Sequence, residues 1–408
     1  MKSIPVDKRK KIVRILLFLI ISLISFSIAM KELRFESSDF WLHMTHAVNF
    51  KREFKYLFTS VSDFPFQLSY PLWHILVNLC YKVSRIIFKD IFLPQHSAAL
   101  VTALVNGCVY LLQEKYLNRY GVQKSELISF GLCFVMPITF PELMNRYFYF
   151  GQASPVTWHN PTNMIVKIFT LAGFFLISQI LLCIGEGKTV PRRDYLKLTG
   201  IIFLSVLAKP SFFQGIVPTL GLFILLTLLQ TKFSKFYEYC LLCGCFIPGF
   251  LLILGQYLIS FYIGNGGEGI GIGWMEVGKV FYIHPLMQLF MTLIFPVCYI
   301  LFNLNKVWKS LEIRLSVLYV IITWLEFALL YEKGPRKYDG NFEWALCLAY
   351  TVIWLVTSIS FFRNCWQIDP ENKRDKIINL ILFLIWFLHV IFGILFIRNL
   401  FSAEKFYF

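Results

Sequence analysis

Asp39, His43, His46 and Asn49 fall at i, i+4, i+7 and i+10, on one face of a helix. Ser37-Ser38 ahead of them supplies N-cap chemistry, and Phe40, Trp41, Met44, Ala47 and Val48 occupy the other face. This is the pattern of a helix lying in a membrane interface, over about 38–52. A carboxylate at the head of such a helix can serve as general base toward a hydroxyl, or as a metal ligand. It is equally the first-turn acid that a helix dipole favours. His43 and His46 either position a ligand or share a metal with Asp39, or remain solvated.

Three further groups carry chemistry. Residues 147–162 pack aromatics, amides and hydroxyls among turn residues, ending in Trp158-His159-Asn160-Pro161. Aromatic faces and amide edges suit a carbohydrate; an interfacial aromatic belt would explain the Tyr and Phe but less of Trp158, His159 and Asn160. Lys209 stands at the end of a short apolar run, before Pro210. A cation at that depth calls for an anion such as the phosphate of a lipid-linked substrate, or it snorkels to the surface. The segment 332–344 holds Lys333, Arg336 and Lys337. Arg336 can grip phosphate bidentately, and Gly340-Asn341 reads as a tight turn; the alternative is a solvated charged loop. Cys240, Cys243 and Cys245 resemble a metal cluster only on paper, since on a membrane helix they point in different directions. No P-loop, zinc-protease helix or nucleophile elbow occurs, and Gly264–Gly273 reads as a flexible loop.

The elements that must position these residues are membrane helices. Of 408 residues 57% are hydrophobic and only 15% charged, with 43 Phe, more apolar surface than a soluble domain can hide. Apolar runs predict about eleven spans: 12–30, 95–113, 127–144, 162–184, 197–209, 212–230, 239–263, 284–303, 315–331, 344–362 and 377–397. The run 71–88 is read instead as a second interfacial helix, because His74, Asn78, Tyr81 and Arg85 form a polar stripe along it. That choice also places the basic loops 114–126, 185–197, 231–236, 304–314 and 363–376 in the cytoplasm, as the positive-inside tendency requires. The N-terminus is then cytoplasmic, Lys8–Lys11 precede an uncleaved signal-anchor, and the candidate residues gather on the extracytoplasmic side of a multi-pass cell-membrane protein. The net charge of +15 sits in short loops rather than on one face, which excludes a nucleic-acid partner. The ten Cys lie mostly in apolar runs and read as small core residues.

One span, a long first loop with an acid near its start (Asp39), two surface helices of which the second opens Tyr70-Pro71-Leu72-Trp73-His74, an aromatic second loop, and a short span ending Lys209-Pro210: this layout resembles the C-type (GT-C) superfamily of polytopic membrane glycosyltransferases. The likeness covers roughly residues 1–230, leaving 231–408 as variable C-terminal helices of a single membrane domain. It implies inverting transfer of a sugar from a polyprenyl-phosphate donor to a glycan or lipid-linked acceptor. Asp39 would be the base, Lys209 and Arg336 would hold the phosphate, and His43, His74, Trp158, His159, Asn160 and Asn341 would line the substrate pocket. Family members often carry an acidic pair in the first loop, whereas Phe40 follows Asp39 here. No cofactor or metal ligand is assigned, although a divalent cation would be compatible. Two rivals remain: a Wzy-like polymerase of lipid-diphosphate-linked repeats, and a transporter or flippase, which would spread polar residues through mid-membrane and usually carry internal repeats.

Overall fold

A computed structural model describes residues 6–139, 153–259, 269–334, 337–365 and 373–402. They are almost entirely helical. In chain order the helices are α1 (Val6–Glu32), α2 (Asp39–Val48), α3 (Phe50–Phe54), α4 (Tyr56–Thr59), α5 (Leu72–Phe88), α6 (Pro94–Arg119), α7 (Ser125–Leu132), α8 (Pro161–Gly185), α9 (Arg192–Ala208) and α10 (Ser211–Gln230). There follow α11 (Phe236–Gly244), α12 (Ile247–Tyr257), α13 (Gly278–Phe281), α14 (Pro285–Phe302), α15 (Leu304–Val307), α16 (Leu311–Leu329), α17 (Glu343–Cys365) and α18 (Lys373–Ser402). A two-stranded antiparallel ribbon pairs β1 (Ile270–Ile272) with β2 (Leu330–Glu332), Gly271 lying opposite Tyr331.

Among the described residues seven helices, α1, α6, α8, α10, α14, α17 and α18, are long and apolar enough to cross a bilayer, and α11 and α12, bent by 43° at their junction, pass the same measure only when taken together, as a broken span or a re-entrant pair. The chain is a polytopic helical membrane protein. Proline places several starts: Pro94, Pro161, Pro248 and Pro285 sit in first turns, where the missing N–H costs nothing. α17 is the axis, with 94% of its apolar window buried among its neighbours, while α1 lies at the edge with 22%. α9, with 17 residues, is too short for the same test, and α16 carries Glu312, Arg314 and Glu326.

The span expected over 127–144 is not a continuous helix. α7 stops at Leu132, and the chain runs irregularly through 133–139. Pro137 explains part of this, since it lacks a donor and pushes Met136 out of the helical region. Irregular backbone inside a membrane protein must find partners within the protein. Here the Met136 N–H donates to the His389 carbonyl (3.2 Å), the Ile138 N–H donates to Met291 (3.3 Å), and His389 Nδ1 donates back to the Met136 carbonyl (2.7 Å). Gly393 of α18 permits the approach: a Cβ there would lie 1.4 Å from the Phe134 carbonyl oxygen.

Gly393→Ala is therefore expected to destabilise the whole bundle, lowering the detergent-solubilised Tm by several degrees and broadening the size-exclusion peak, the usual result of overpacking. Gly255→Ala in α12, where a Cβ meets open space, serves as the control and should leave both unchanged.

Candidate functional site

Four separate parts of the chain meet where α1 ends. Ser38 is the hinge: its hydroxyl donates to the Glu32 carbonyl (2.9 Å) and accepts from the Trp41 N–H (3.1 Å), capping α2 against the end of α1. Asp39, first residue of α2, thereby comes to face the loop before α8. Asn160 Nδ2 donates to Asp39 Oδ2 at 2.9 Å. Asn160 Oδ1 accepts from Lys209 Nζ (3.2 Å), Thr162 Oγ1 (2.8 Å) and the Asn163 N–H (2.9 Å), so Asn160 is both the N-cap of α8 and the link between Asp39 and Lys209. Three donors on one oxygen leave the amide a single orientation.

Lys209 ends α9 in extended backbone (φ −174°, ψ 136°), the conformation a following proline favours. Its side chain is buried, with Nζ 4.6 Å from the Trp344 ring centroid and 6.0 Å from that of Tyr70. Burial raises the Asp39 carboxyl above the ordinary carboxylate range, Lys209 and the Asn160 hydrogen bond pull it back, and nearby Asp339 pushes it up again.

Of the polar stripe on α2, only the first two members reach this centre. His43 Nδ1 shares a 2.9 Å hydrogen bond with His74 Nε2 of α5, both rings buried. His46 pairs with Glu53 (2.8 Å) and Asn49 donates to the Thr45 carbonyl, so both serve the α2–α3 bend. On α5 the first half of the polar stripe turns inward, His74 and Asn78 being buried and Asn78 donating to the Ala47 carbonyl at 2.8 Å, while Arg85 at the far end is exposed. His159 is buried with its ring 5.1 Å from Trp344. Trp158, expected in the pocket, instead faces a separate cavity of about 20 Å³ with Lys167, Cys133 and Thr351. Asn341 donates to Glu332 (2.8 Å), after a turn in which Gly340 adopts φ 66°. Arg336 and residues 147–152 lie outside the described residues.

The loop from 153 to 160 is braced from below. Lys167 Nζ (2.9 Å) and Thr351 Oγ1 (2.7 Å) both donate to the Pro155 carbonyl, and Thr292 Oγ1 donates to that of Ala153 (2.7 Å). Beside Lys209 opens a cavity of about 400 Å³ whose walls include Phe213, Val217, Phe250 and Ile253, with Gln256 and Asn341 among its polar members. The centre thus combines a carboxylate, a buried ammonium and a largely apolar cleft. Among the described residues no three His, Cys, Asp or Glu lie close enough to hold a metal.

Tyr70, Trp344 and Asp339 lie around Lys209 and Asp39, and Lys167 braces the loop below, although the sequence reading named none of them as a site residue. Trp344 closes the segment 332–344 and could have been flagged as an aromatic near two cation-rich stretches; nothing in the pattern marks Lys167. No protein-family model, curated protein or solved structure matches the chain.

Burial holds His43 and His74 well below the usual histidine pKa and His159 at about 3. Between the folded value and about 6.5 the unfolded chain binds more protons than the native one, so stability is complete above about pH 6.5 and falls as pH drops. Thermal unfolding of the solubilised protein should show Tm declining below pH 6.5, and His159→Gln combined with His74→Gln should flatten that decline.

Proposed function

We propose that the protein is a membrane-embedded glycosyltransferase that moves a sugar from a polyprenyl-phosphate donor to an extracytoplasmic glycan or lipid-linked acceptor. The observation that carries this reading is the buried Lys209 ammonium at the head of an apolar-walled cavity of about 400 Å³, joined through Asn160 to the Asp39 carboxylate. An amphiphile with an anionic head and a hydrocarbon tail matches that combination. The wider topology belongs to the same proposal: about eleven spans with α7 as a broken one, N-terminus cytoplasmic, and the site on the extracytoplasmic side of the cell membrane.

The chemistry follows from charge. Asp39 takes the proton of the acceptor hydroxyl, whose oxygen forms a bond to the anomeric carbon from the face opposite the phosphate. The anomeric carbon–oxygen bond breaks, its electron pair leaves on the phosphate, and the configuration inverts. Lys209 meets the charge growing on that phosphate, the step an ordered cation assists most. Asn160 holds base and cation in fixed relation, and His43 and His159 border the space for sugar and acceptor. Burial holds the Asp39 carboxyl above the ordinary carboxylate range, which suits a proton acceptor, and Lys209 and Asn160 draw it part of the way back.

Lipid extracts of source cells provide the test. Deletion and Asp39→Asn should both accumulate a polyprenyl-monophosphate sugar by mass spectrometry, with turnover in Asp39→Asn down by about 10²–10⁴. Accumulation of diphosphate-linked repeat units on the outer leaflet would instead indicate the polymerase, and an Asp39→Asn strain matching wild type would remove the base assignment. The pH profile gives a second check. Because Lys209 and Asn160 lower the Asp39 pKa, Lys209→Met or Asn160→Ala should move the acid limb of activity to higher pH.

A further inference from the structure

α5 shows two faces along its length. Trp73, His74, Val77 and Asn78 are buried against α2 and α6. The opposite face is apolar and open, and its exposure increases toward the C-terminal end: Leu79 is 57% exposed, Ile86 82%, and Ile91 just beyond the helix 83%. Phe58, in the neighbouring turn of α4, is 79% exposed. Ile86, Ile91 and Phe58 are more open than any described apolar side chain of α1, where Leu23 reaches 66%.

The same region is basic. Between residues 50 and 93 the chain carries six Lys and Arg against three acids. Lys51, Arg52, Lys55, Lys82, Arg85 and Lys89 are all exposed. The two surface helices run in parallel register, His43 against His74 and Ala47 against Asn78, and α3 continues along α5. Continued through α3, which packs on α5, that offset of 31 residues sets Lys51 level with Lys82 and the other cations within a turn or two. Of the acids, Glu53 is turned inward onto His46 and Asp63 accepts from Ser60. Glu53 also lies 4.0 Å from Arg52, so the group keeps its excess of cations by number, six against three with Asp90 counted.

We propose that this end of α5, with α3 and α4, is a docking face for anionic phospholipid headgroups. The open apolar side chains enter the acyl region while the cations on either side meet lipid phosphates. Apolar insertion alone would hold the helix in any bilayer. Six clustered cations add a preference for negative lipid, each worth a modest attraction that salt screens. The inference is independent of the transferase reading, because it concerns the opposite end of α5 from His74 and needs no turnover.

The full chain reconstituted in nanodiscs tests it, with hydrogen-exchange mass spectrometry of the peptide covering 72–93. Exchange should be at least about threefold slower in phosphatidylcholine containing phosphatidylglycerol than in phosphatidylcholine alone, and 0.5 M salt, roughly a 4 Å screening length, should remove the difference. A Lys82→Gln, Arg85→Gln, Lys89→Gln variant should keep the phosphatidylcholine rate and lose the anionic effect, with an unchanged Tm showing that it folds. Equal exchange of the wild type in both lipids would overturn the proposal. So would a folded triple variant that retains the full difference. If the variant does not fold, the lipid and salt dependence of the wild type decides alone.

Discussion

A lysine ammonium enclosed by protein is tolerable only if other groups replace the water it has lost, a loss of several kcal/mol for an ion left bare. Lys209 meets that demand with the Asn160 carbonyl oxygen and the faces of Trp344 and Tyr70. Aromatic faces at these distances contribute about 0.5–2 kcal/mol. The partners come from the N-terminus of α8, the start of α17 and the segment before α5, so satisfying one cation ties three distant stretches together. Asp39 joins through Asn160, and α2 with it. The arrangement at this end of the bundle follows from the need to surround a charge that Pro210, by ending α9, leaves inside.

A second buried cation works one level lower. Lys167 donates to the Pro155 carbonyl from within α8, and Thr351 of α17 donates to the same oxygen. The loop from 153 to 160 is therefore held at both levels, by Lys209 at Asn160 and by Lys167 at Pro155. Irregular backbone is fixed in the same way across 133–139, where His389 and Met291 supply the partners a helix would have supplied itself. In both places side chains and carbonyls of the bundle substitute for the partners that regular structure would supply.

Much of this was legible from residue order. Apolar runs gave the long helices, because length and hydrophobicity are local properties, and Lys209-Pro210 marked the break between α9 and α10. Asp39, Asn160 and Lys209 could be singled out individually, since each is polar where its surroundings are not. Their hydrogen-bonded chain could not be, because it depends on which loop meets which. Helical spacing likewise grouped Asp39 with His46 and Asn49 but could not tell that the α2–α3 bend would claim the latter two. Trp158 and Asn160 part for a related reason: neighbouring loop residues point to different sides, so Trp158 lines a small cavity with Lys167 while Asn160 bonds Lys209. The break at α7 had a local sign in Pro137, yet hydropathy alone carried the span through it. The close approach that completes the break depends on Gly393, more than 250 residues away.

Asn160 is followed directly by Pro161, which opens α8. Asparagine side chains commonly age by attack of the next residue's backbone nitrogen on the amide, releasing ammonia and leaving an aspartate. A proline nitrogen has no hydrogen to lose and cannot take that path. The residue that caps α8 is thus protected against the slow conversion that would set a new negative charge against Asp39. The proline that starts the helix also preserves, over the lifetime of the molecule, the neutral amide on which the carboxylate and the ammonium both depend.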